Sequence, residues 1–258
     1  MQLTADYHTH TPYSHGKNTI EENVARAKEL GFKQIGITDH GFAHMVFPVR
    51  RKELDVYEAE CVAAAKKHGI DVLVGVEANI TSVSGKTDVK EQDYEKLDVF
   101  LCGTHICVWF HPWYDLFRFA STNYALAKLH LKTPKSLVEL NTKAYVNTIK
   151  KNPIDIVTHV NFLCKCNSLE VAKVAADYGT YLELNSKKTH FTDEELIEMV
   201  EKTSVRFVID SDAHSAGRVG DTKLVEEQLK RIQFPMDRID NIEGRLPNFR
   251  FSEFKQRL

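Results

Sequence analysis

Short apolar runs alternate with amphipathic stretches along this chain. The apolar runs predict seven strands, at residues 2–7, 34–38, 71–76, 99–103, 154–158, 181–184 and 206–209. Most are β-branched or aliphatic on both faces, which is typical of buried parallel strands. Helical periodicity predicts helices at 19–30, 53–68, 135–150, 169–178, 192–202 and 221–232. Strands and helices that alternate indicate an α/β fold with a parallel sheet, and seven units favour a barrel over an open sheet.

Two segments depart from this alternation. Residues 106–132 form a long insertion with many aromatic side chains, among them Trp109, Trp113 and Phe117. We interpret it as a cap over a site, with simple packing on the barrel wall as the alternative. Residues 234–258 are expected to form a closing segment. A chain of 258 residues fits one domain, so we assign 1–258 to a single barrel.

Composition narrows the expected partners and location. The formal net charge is -2, so bulk electrostatic capture of nucleic acid or of an anionic membrane is not expected. No apolar run is long enough for a membrane helix, and the first residues do not resemble a signal peptide. Five cysteines, an odd number in a long chain, argue against a disulfide framework. We therefore expect a cytoplasmic protein.

Histidines and carboxylates follow six of the seven predicted strands. In a parallel barrel the carboxyl ends of the strands meet on one face, so residues far apart in sequence would share one pocket. Two pairs, His8 with His10 and Asp212 with His214, are two residues apart on extended chain and point to the same side. The nine candidate metal ligands are His8, His10, His15, His40, Glu77, His105, His159, Asp212 and His214.

These donor types are the ones that zinc, manganese and iron prefer, and nine of them suit two or three ions. The other histidines have no comparable position in the pattern. His44, His68, His130 and His190 are predicted to be surface or capping residues. Asp6, Asp39 and Asp210 are next to ligands; they either orient imidazoles or make ordinary strand-end hydrogen bonds.

The ordered set of motifs resembles the polymerase and histidinol phosphatase (PHP) family over nearly the whole chain. The matching motifs are Asp6-x-His8-x-His10, His15-Gly16, Thr38-Asp39-His40-Gly41, Gly75-x-Glu77, Gly103-x-His105, His159 and Asp210-Ser211-Asp212-Ala213-His214. The resemblance implies a distorted (β/α)7 TIM-like barrel with a trinuclear metal site. The first metal would take His8, His10, Glu77 and Asp212; the second Glu77, His105 and His159; the third His15, His40 and His214.

The resemblance also implies metal-dependent hydrolysis of phosphate esters. A metal-activated hydroxide would attack phosphorus, with Glu77 and Asp212 as ligands and Asp212 as a possible proton acceptor. Arg218 is expected to contact the phosphate. Lys187 and Asn185 follow at the carboxyl end of the sixth strand and are further candidates for substrate contacts. His111 is a candidate for the pocket and for the leaving-group acid, with a metal-bound water as the alternative.

We expect a phosphatase acting on a small phosphorylated substrate such as histidinol phosphate, an intermediate of histidine biosynthesis. The first alternative is a phosphodiesterase or exonuclease. It needs a long basic groove, whereas the sequence shows only short clusters such as 50–52 and 132–135. The second is a non-catalytic metal-binding module, which predicts decayed ligands. Amidohydrolase chemistry usually brings a carboxylated lysine, for which only Lys187 is suitably placed.

Overall fold

Seven parallel strands, hydrogen-bonded in chain order, form the sheet of this computed structural model, which describes residues 1–257. The strands are β1 (Ala5–Asp6), β2 (Gln34–Ile37), β3 (Asp71–Asn79), β4 (Val99–Gly103), β5 (Ile156–Val157), β6 (Tyr181–Asn185) and β7 (Phe207–Asp210). An α-helix lies in every connection between successive strands except that from β3 to β4, which holds a 3-10 turn, Glu91–Lys96, and every strand pair is parallel. The architecture is the distorted (β/α)7 TIM-like barrel that the sequence predicted.

The helices begin and end at the expected local signals. Thr19 and Glu22 form a capping box at the start of α1, and Thr192 and Glu195 form another at α6. Gly69 and Gly179 end α2 and α5 in the left-handed conformation. The helices are α1 (Ile20–Glu29), α2 (Leu54–His68), α3 (Thr122–Lys128), α4 (Lys135–Lys151), α5 (Ser168–Tyr178), α6 (Asp193–Lys202), α7 (Lys223–Arg231) and α8 (Arg250–Lys255).

The strand bounds differ from the predicted ones where tertiary contacts override the apolar pattern. β1 is shorter than predicted, because residues before it pair with the C-terminal tail: Leu3 forms an antiparallel bridge to Ile242. β3 is longer and reaches Asn79, which places Glu77 within the strand. The residues before and after Glu77 also pair with β4, so the strand holds Glu77 in place.

The barrel closes between β1 and β7 through chain extensions and one side chain. Beyond the strands, Thr9 pairs with Ala213. At the other end, the Asn241 amide donates to the carbonyls of Ala5 and Ile209, at 3.0 and 2.7 Å, and accepts from the Ile209 N–H at 2.9 Å. Asn241 thus takes the place of a missing strand residue between the two edges, because its amide offers both a donor and an acceptor.

The insertion between β4 and α4 contains a π-helical turn, Leu116–Ser121, followed by α3. Its first residues are fastened to the loop after β2, since Met45 N–H donates to the Cys107 carbonyl at 2.7 Å. Phe119 is buried, whereas Trp109, Trp113 and Phe117 are exposed. In the tail, α8 packs near β4, and the last residue of the predicted closing segment, Leu258, lies outside the described residues. No described helix has the length and apolar character of a membrane span.

Candidate metal centre

Glu77 lies at the centre of the histidine cluster. It is fully buried on β3, and its two carboxylate oxygens face imidazole nitrogens that arrive from four other strand ends. The oxygen–nitrogen distances are 3.2 Å to His8, 3.7 Å to His10, 3.0 Å to His40, 2.9 Å to His105 and 2.6 Å to His159. A carboxylate surrounded in this way could hold a divalent cation together with the imidazoles.

Asp212 is the second carboxylate of the centre. Its Oδ1 lies 3.4 Å from His10 Nε2, 3.3 Å from His214 Nδ1 and 3.9 Å from His8 Nε2. The Asp212 backbone has a φ of 49° and that of His159 a φ of 30°, a region that non-glycine residues rarely adopt. Backbone strain of this kind concentrates where side chains are held for a function.

Four overlapping groups of potential metal ligands have donor atoms within 4.8 Å of one another. Because the groups share residues, they describe one continuous cluster rather than four separate sites. His15 lies at its edge: its ring stacks on His40 with centroids 4.8 Å apart and is 4.2 Å from the His214 ring. The groups are His8, His10 and Asp212; His8, Glu77 and His159; His40, Glu77 and His105; and His10, His40 and His214.

The donor atoms of this cluster fit divalent metal ions. Buried polar atoms are normally hydrogen-bonded, and leaving one unpaired costs about 1–3 kcal/mol. Here several buried atoms that face one another have no hydrogen-bond partner within the described residues, and a bound cation would satisfy them together. They are His8 Nε2, His10 Nε2, His40 Nδ1, Glu77 Oε2 and His105 Nε2.

The electrostatics of the cluster favour ionised carboxylates. Burial raises the pKa of Glu77, but the neighbouring His105, His8 and His159 outweigh it and hold that pKa well below its ordinary value. Asp212 behaves in the same way, because His8, His10 and Lys187 outweigh its burial and lower its pKa. Both side chains are therefore anionic at neutral pH, as metal ligation requires.

Glu183 on β6 orients His8, a role that our sequence prediction missed. His8 Nδ1 lies 2.5 Å from Glu183 Oε1, and a ring that donates to this oxygen through Nδ1 leaves Nε2 for a metal. Glu183 also accepts from the His159 N–H at 2.6 Å and from Asn185 Nδ2 at 3.0 Å. A signal was present: Glu183 is a charged residue between two leucines, Leu182 and Leu184, in a strand that is buried along its whole length.

The carboxylates next to the ligands serve another purpose. Asp39 accepts hydrogen bonds from the Thr11 N–H and from the hydroxyls of Thr11 and Tyr57. Asp6 accepts from the N–H groups of Ser211 and Gly220. Of the two interpretations, the structure supports strand-end hydrogen bonding: these carboxylates hold the ligand-bearing loops rather than the imidazoles.

Two lysines follow β6 at the mouth of the cluster. The Lys187 ammonium lies 3.2 Å from both Asp212 oxygens, and Lys188 lines the same cavity. Asn185 braces this turn, because its Oδ1 accepts from the N–H groups of Lys187 and Lys188 and its Nδ2 donates to Glu183. The cavity has a volume of about 470 Å³, a size that suits a small molecule.

Two of the predicted substrate contacts do not lie in this cavity. Arg218 forms an ion pair with Asp221 at 3.2 Å, and its turn packs against α1 instead of the site. His111 is exposed, and its backbone N–H donates to the Thr81 carbonyl. Neither residue belongs to the lining of the described pocket. An arginine and a histidine are residue types that can bind phosphate, but the loops that carry them lead away from the cavity. The local sequence does not specify the direction of a loop.

Two other histidines do line the cavity, His44 and His190. His44 was predicted to be a surface or capping residue; it does not lie at the surface but is buried and stacks on His40 with ring centroids 4.7 Å apart. Its Nδ1 lies near the N–H groups of Val46 and Phe47, at 3.3 and 3.1 Å, and accepts from them. A neutral His44 therefore carries its proton on Nε2.

The family model of the PHP domain matches residues 6–233, from the second residue of β1 through β7 and α7. The chain belongs to the PHP domain family. A family relative named as a probable phosphatase, from Clostridium botulinum, is 29% identical over 252 residues and covers 94% of this chain and 92% of its own. A second probable phosphatase, from Thermoanaerobacter sp., is 31% identical over 248 residues, with 90% and 86% covered. These relatives carry the activity class that the sequence predicted.

A solved structure supports the fold assignment. The histidinol phosphate phosphatase of Lactococcus lactis, complexed with zinc, L-histidinol and phosphate, superposes with a TM-score of 0.59 at 14% identity. The likeness covers 95% of this PHP chain and 99% of the other. Nearly the whole barrel fold is therefore shared with that structure.

Proposed function

We propose that this protein is a metal-dependent phosphatase that hydrolyses a small phosphomonoester. The single observation that carries the proposal is the Glu77 carboxylate among five imidazole nitrogens, with the Lys187 ammonium beside the same cluster. Anionic and imidazole donors in this arrangement hold divalent cations, and an added ammonium attracts a dianionic phosphate. The relatives named as probable phosphatases support this proposal.

The nine ligands are proposed to hold three divalent ions, either zinc, manganese or iron. Glu77 would be shared between two of them, and His15, His40 and His214 would complete the third. Divalent ions bound here would lower the pKa of a water molecule towards about 7 and neutralise charge on the phosphate oxygens. The zinc in the structure of the L. lactis enzyme makes zinc the first ion to test.

The chain's own polar groups divide the remaining work. Glu183 keeps His8 in the tautomer that offers Nε2, and Asn185 fixes the turn that carries both lysines. Lys187 is proposed to move from Asp212 to a phosphate oxygen when substrate binds, because a dianion competes well for an exposed ammonium. Asp212 would then be free to ligate metal with both oxygens.

The direct test is a panel of esters assayed with zinc or manganese. We expect turnover of phosphomonoesters, histidinol phosphate among them, and little or none of a phosphodiester or of single-stranded DNA. Chelation of the metal should abolish turnover. No hydrolysis of any phosphomonoester by metal-loaded protein would refute the proposal, and a preference for DNA would favour the exonuclease alternative.

A pair of variants tests the position of the phosphate. Lys187→Met should raise KM and lower kcat/KM by about tenfold to a hundredfold, because a charge-assisted hydrogen bond to phosphate is lost. Arg218→Met is the matched control, since Arg218 pairs with Asp221 outside the cavity and should leave kcat/KM nearly unchanged. The reverse ranking would restore Arg218 as the phosphate contact.

A further inference from the structure

The candidate cavity carries an apolar wall beside the metal cluster. Val46 and Phe47, from the loop after β2, and Ile106, from the start of the insertion, line the same cavity as Glu77 and Asp212. These three side chains are 57%, 42% and 44% exposed, respectively. Exposed apolar groups that adjoin one another at a polar site mark a surface that binds an apolar part of a ligand.

The wall is built rather than incidental. The loop after β2 and the start of the insertion are joined by backbone hydrogen bonds, Met45 N–H to the Cys107 carbonyl at 2.7 Å and Trp109 N–H to the Ala43 carbonyl at 3.0 Å. His44 pairs with Val108 between them. Phe47 also stacks on His15, with ring centroids 5.0 Å apart, so the apolar surface abuts the candidate ligands directly.

A second cavity continues this apolar surface under the insertion. Its volume is about 290 Å³, and it shares His105, Ile106 and Cys107 with the first. Leu116, Phe119 and Tyr124 of the insertion contribute to its lining, and the described lining contains no acidic or basic residue other than His105. A ligand group that extends past Ile106 therefore meets apolar side chains.

The fixed charges of the main cavity also restrict the ligand. Among its described lining residues, the carboxylates are Glu77 and Asp212, both engaged with the histidine cluster, whereas the cations are Lys187 and Lys188. A cationic group on the leaving alcohol would find no carboxylate in this lining that is not already engaged, and the two lysines make the lining more positive. Burying an unpaired charge is costly, so the cavity selects against it.

From this arrangement we infer that the substrate is the phosphomonoester of an uncharged, largely apolar alcohol, whose hydrocarbon part lies on Val46, Phe47 and Ile106. The inference rests on the proposed phosphatase function and narrows it. It sets this chain apart from an enzyme specific for histidinol phosphate, since histidinol carries an ammonium group.

Binding of non-hydrolysable analogues tests the inference without reliance on turnover. The test compares the dissociation constants of pentylphosphonate and 5-aminopentylphosphonate, measured by calorimetry on the manganese-loaded protein. The two compounds differ essentially by one terminal ammonium group. Pentylphosphonate should bind roughly tenfold more tightly or better, a ratio typical of apolar pocket discrimination. Equal affinity, or tighter binding of the ammonium compound, overturns the inference.

Kinetics with the corresponding esters separates this inference from the proposed function. Pentyl phosphate should exceed 5-aminopentyl phosphate and histidinol phosphate in kcat/KM, mainly through KM. A higher kcat/KM for histidinol phosphate than for pentyl phosphate overturns the inference and leaves the phosphatase function intact. If no ester is hydrolysed, the proposed function fails, and the phosphonate affinities still decide whether the cavity prefers an apolar group.

A matched pair of variants locates the preference. Val46→Glu places a carboxylate on the wall and should reduce or invert the preference for pentylphosphonate. Val62→Glu is the control, because Val62 lies on α2 with a similar exposure, 60% against 57% for Val46, and does not line the cavity. An equal change in both variants, or none in Val46→Glu, contradicts the location.

Discussion

At the scale of single residues, hydrogen-bond partners decide which nitrogen of His8 and of His105 is offered to a metal. His8 Nδ1 donates to Glu183, and His105 Nδ1 lies 2.8 Å from Asn79 Oδ1, so in both rings Nε2 faces Glu77. His40 instead directs Nδ1 at Glu77, at 3.0 Å. Partners of this kind commonly change metal affinity by about tenfold to a hundredfold when they are removed.

Glu183 offers the clearest test at this scale. Glu183→Gln keeps the side-chain shape but replaces one carboxylate oxygen with an NH2 group. The single amide oxygen cannot accept both from His8 and from the His159 and Asn185 donors. We expect metal affinity to fall by about tenfold, measured by competition with a chelating dye. Glu198→Gln, on α6 and paired with Lys202, is the control. Unchanged affinity in Glu183→Gln would show that His8 does not depend on this partner.

At the scale of elements, the residues at the strand ends must be small enough for the ligand-bearing loops to lie next to one another at the metal cluster. Gly103 ends β4 beside the loop that follows β5. A Cβ at this position would lie 2.2 Å from Thr158 Oγ1 and 2.8 Å from His159 Cε1. Thr158 Oγ1 in turn donates to Glu77 Oε1 at 3.0 Å, so a side chain at Gly103 would disturb a ligand and its neighbour together.

Gly103→Ala should therefore displace His159 and lower the metal content of the purified protein. Metal is counted by elemental analysis after dialysis, and thermal unfolding shows whether the barrel persists. Gly217→Ala is the matched control, because a Cβ there meets nothing within 4 Å. Full metal content in Gly103→Ala would mean that β4 and β5 can separate without loss of the site.

At the scale of the whole molecule, a buried carboxylate fastens the C-terminal helix to the barrel. Asp155, just before β5, accepts from the Phe100 N–H on β4 and from the Phe251 N–H on α8, each at 2.9 Å. Burial raises the pKa of Asp155 to about 7, against an ordinary 3.8, although both hydrogen bonds oppose the rise. The folded state therefore binds a proton in a pH range where the unfolded chain releases it.

This gives the stability a pH dependence of known sign. The contribution of a raised pKa is full below the ordinary value of about 4 and is lost as the pH rises through about 7. Compared with Asp155→Asn, which cannot titrate, the wild type should lose on the order of 2 kcal/mol of unfolding free energy between pH 5 and 8. Denaturant titrations measure it, with Asp177→Asn on α5 as the exposed control. A difference independent of pH would contradict the assignment.

The sequence by itself determined the fold class, the family and the order of the metal-type donors. These features are local: strand and helix periodicity, capping boxes such as Thr19 with Glu22, and a donor after six of the seven strands can all be recognised within a few residues. A parallel barrel then brings strand ends together whatever the details of packing. For that reason nine dispersed residues could be assigned to one pocket before any contact was seen.

Only the tertiary structure decided which way the loops point. Arg218 and His111 follow strands as Lys187 does, yet the turn of Arg218 packs on α1 and His111 is exposed. His44 is buried in the cavity because two distant loops pair around it, and Glu183 meets His8 across 175 positions of sequence. Such contacts depend on long-range packing, which no local pattern specifies. They determine which residues face the metal cluster and which residues hold them in place, and which part of the cavity would meet the phosphate and which the alcohol.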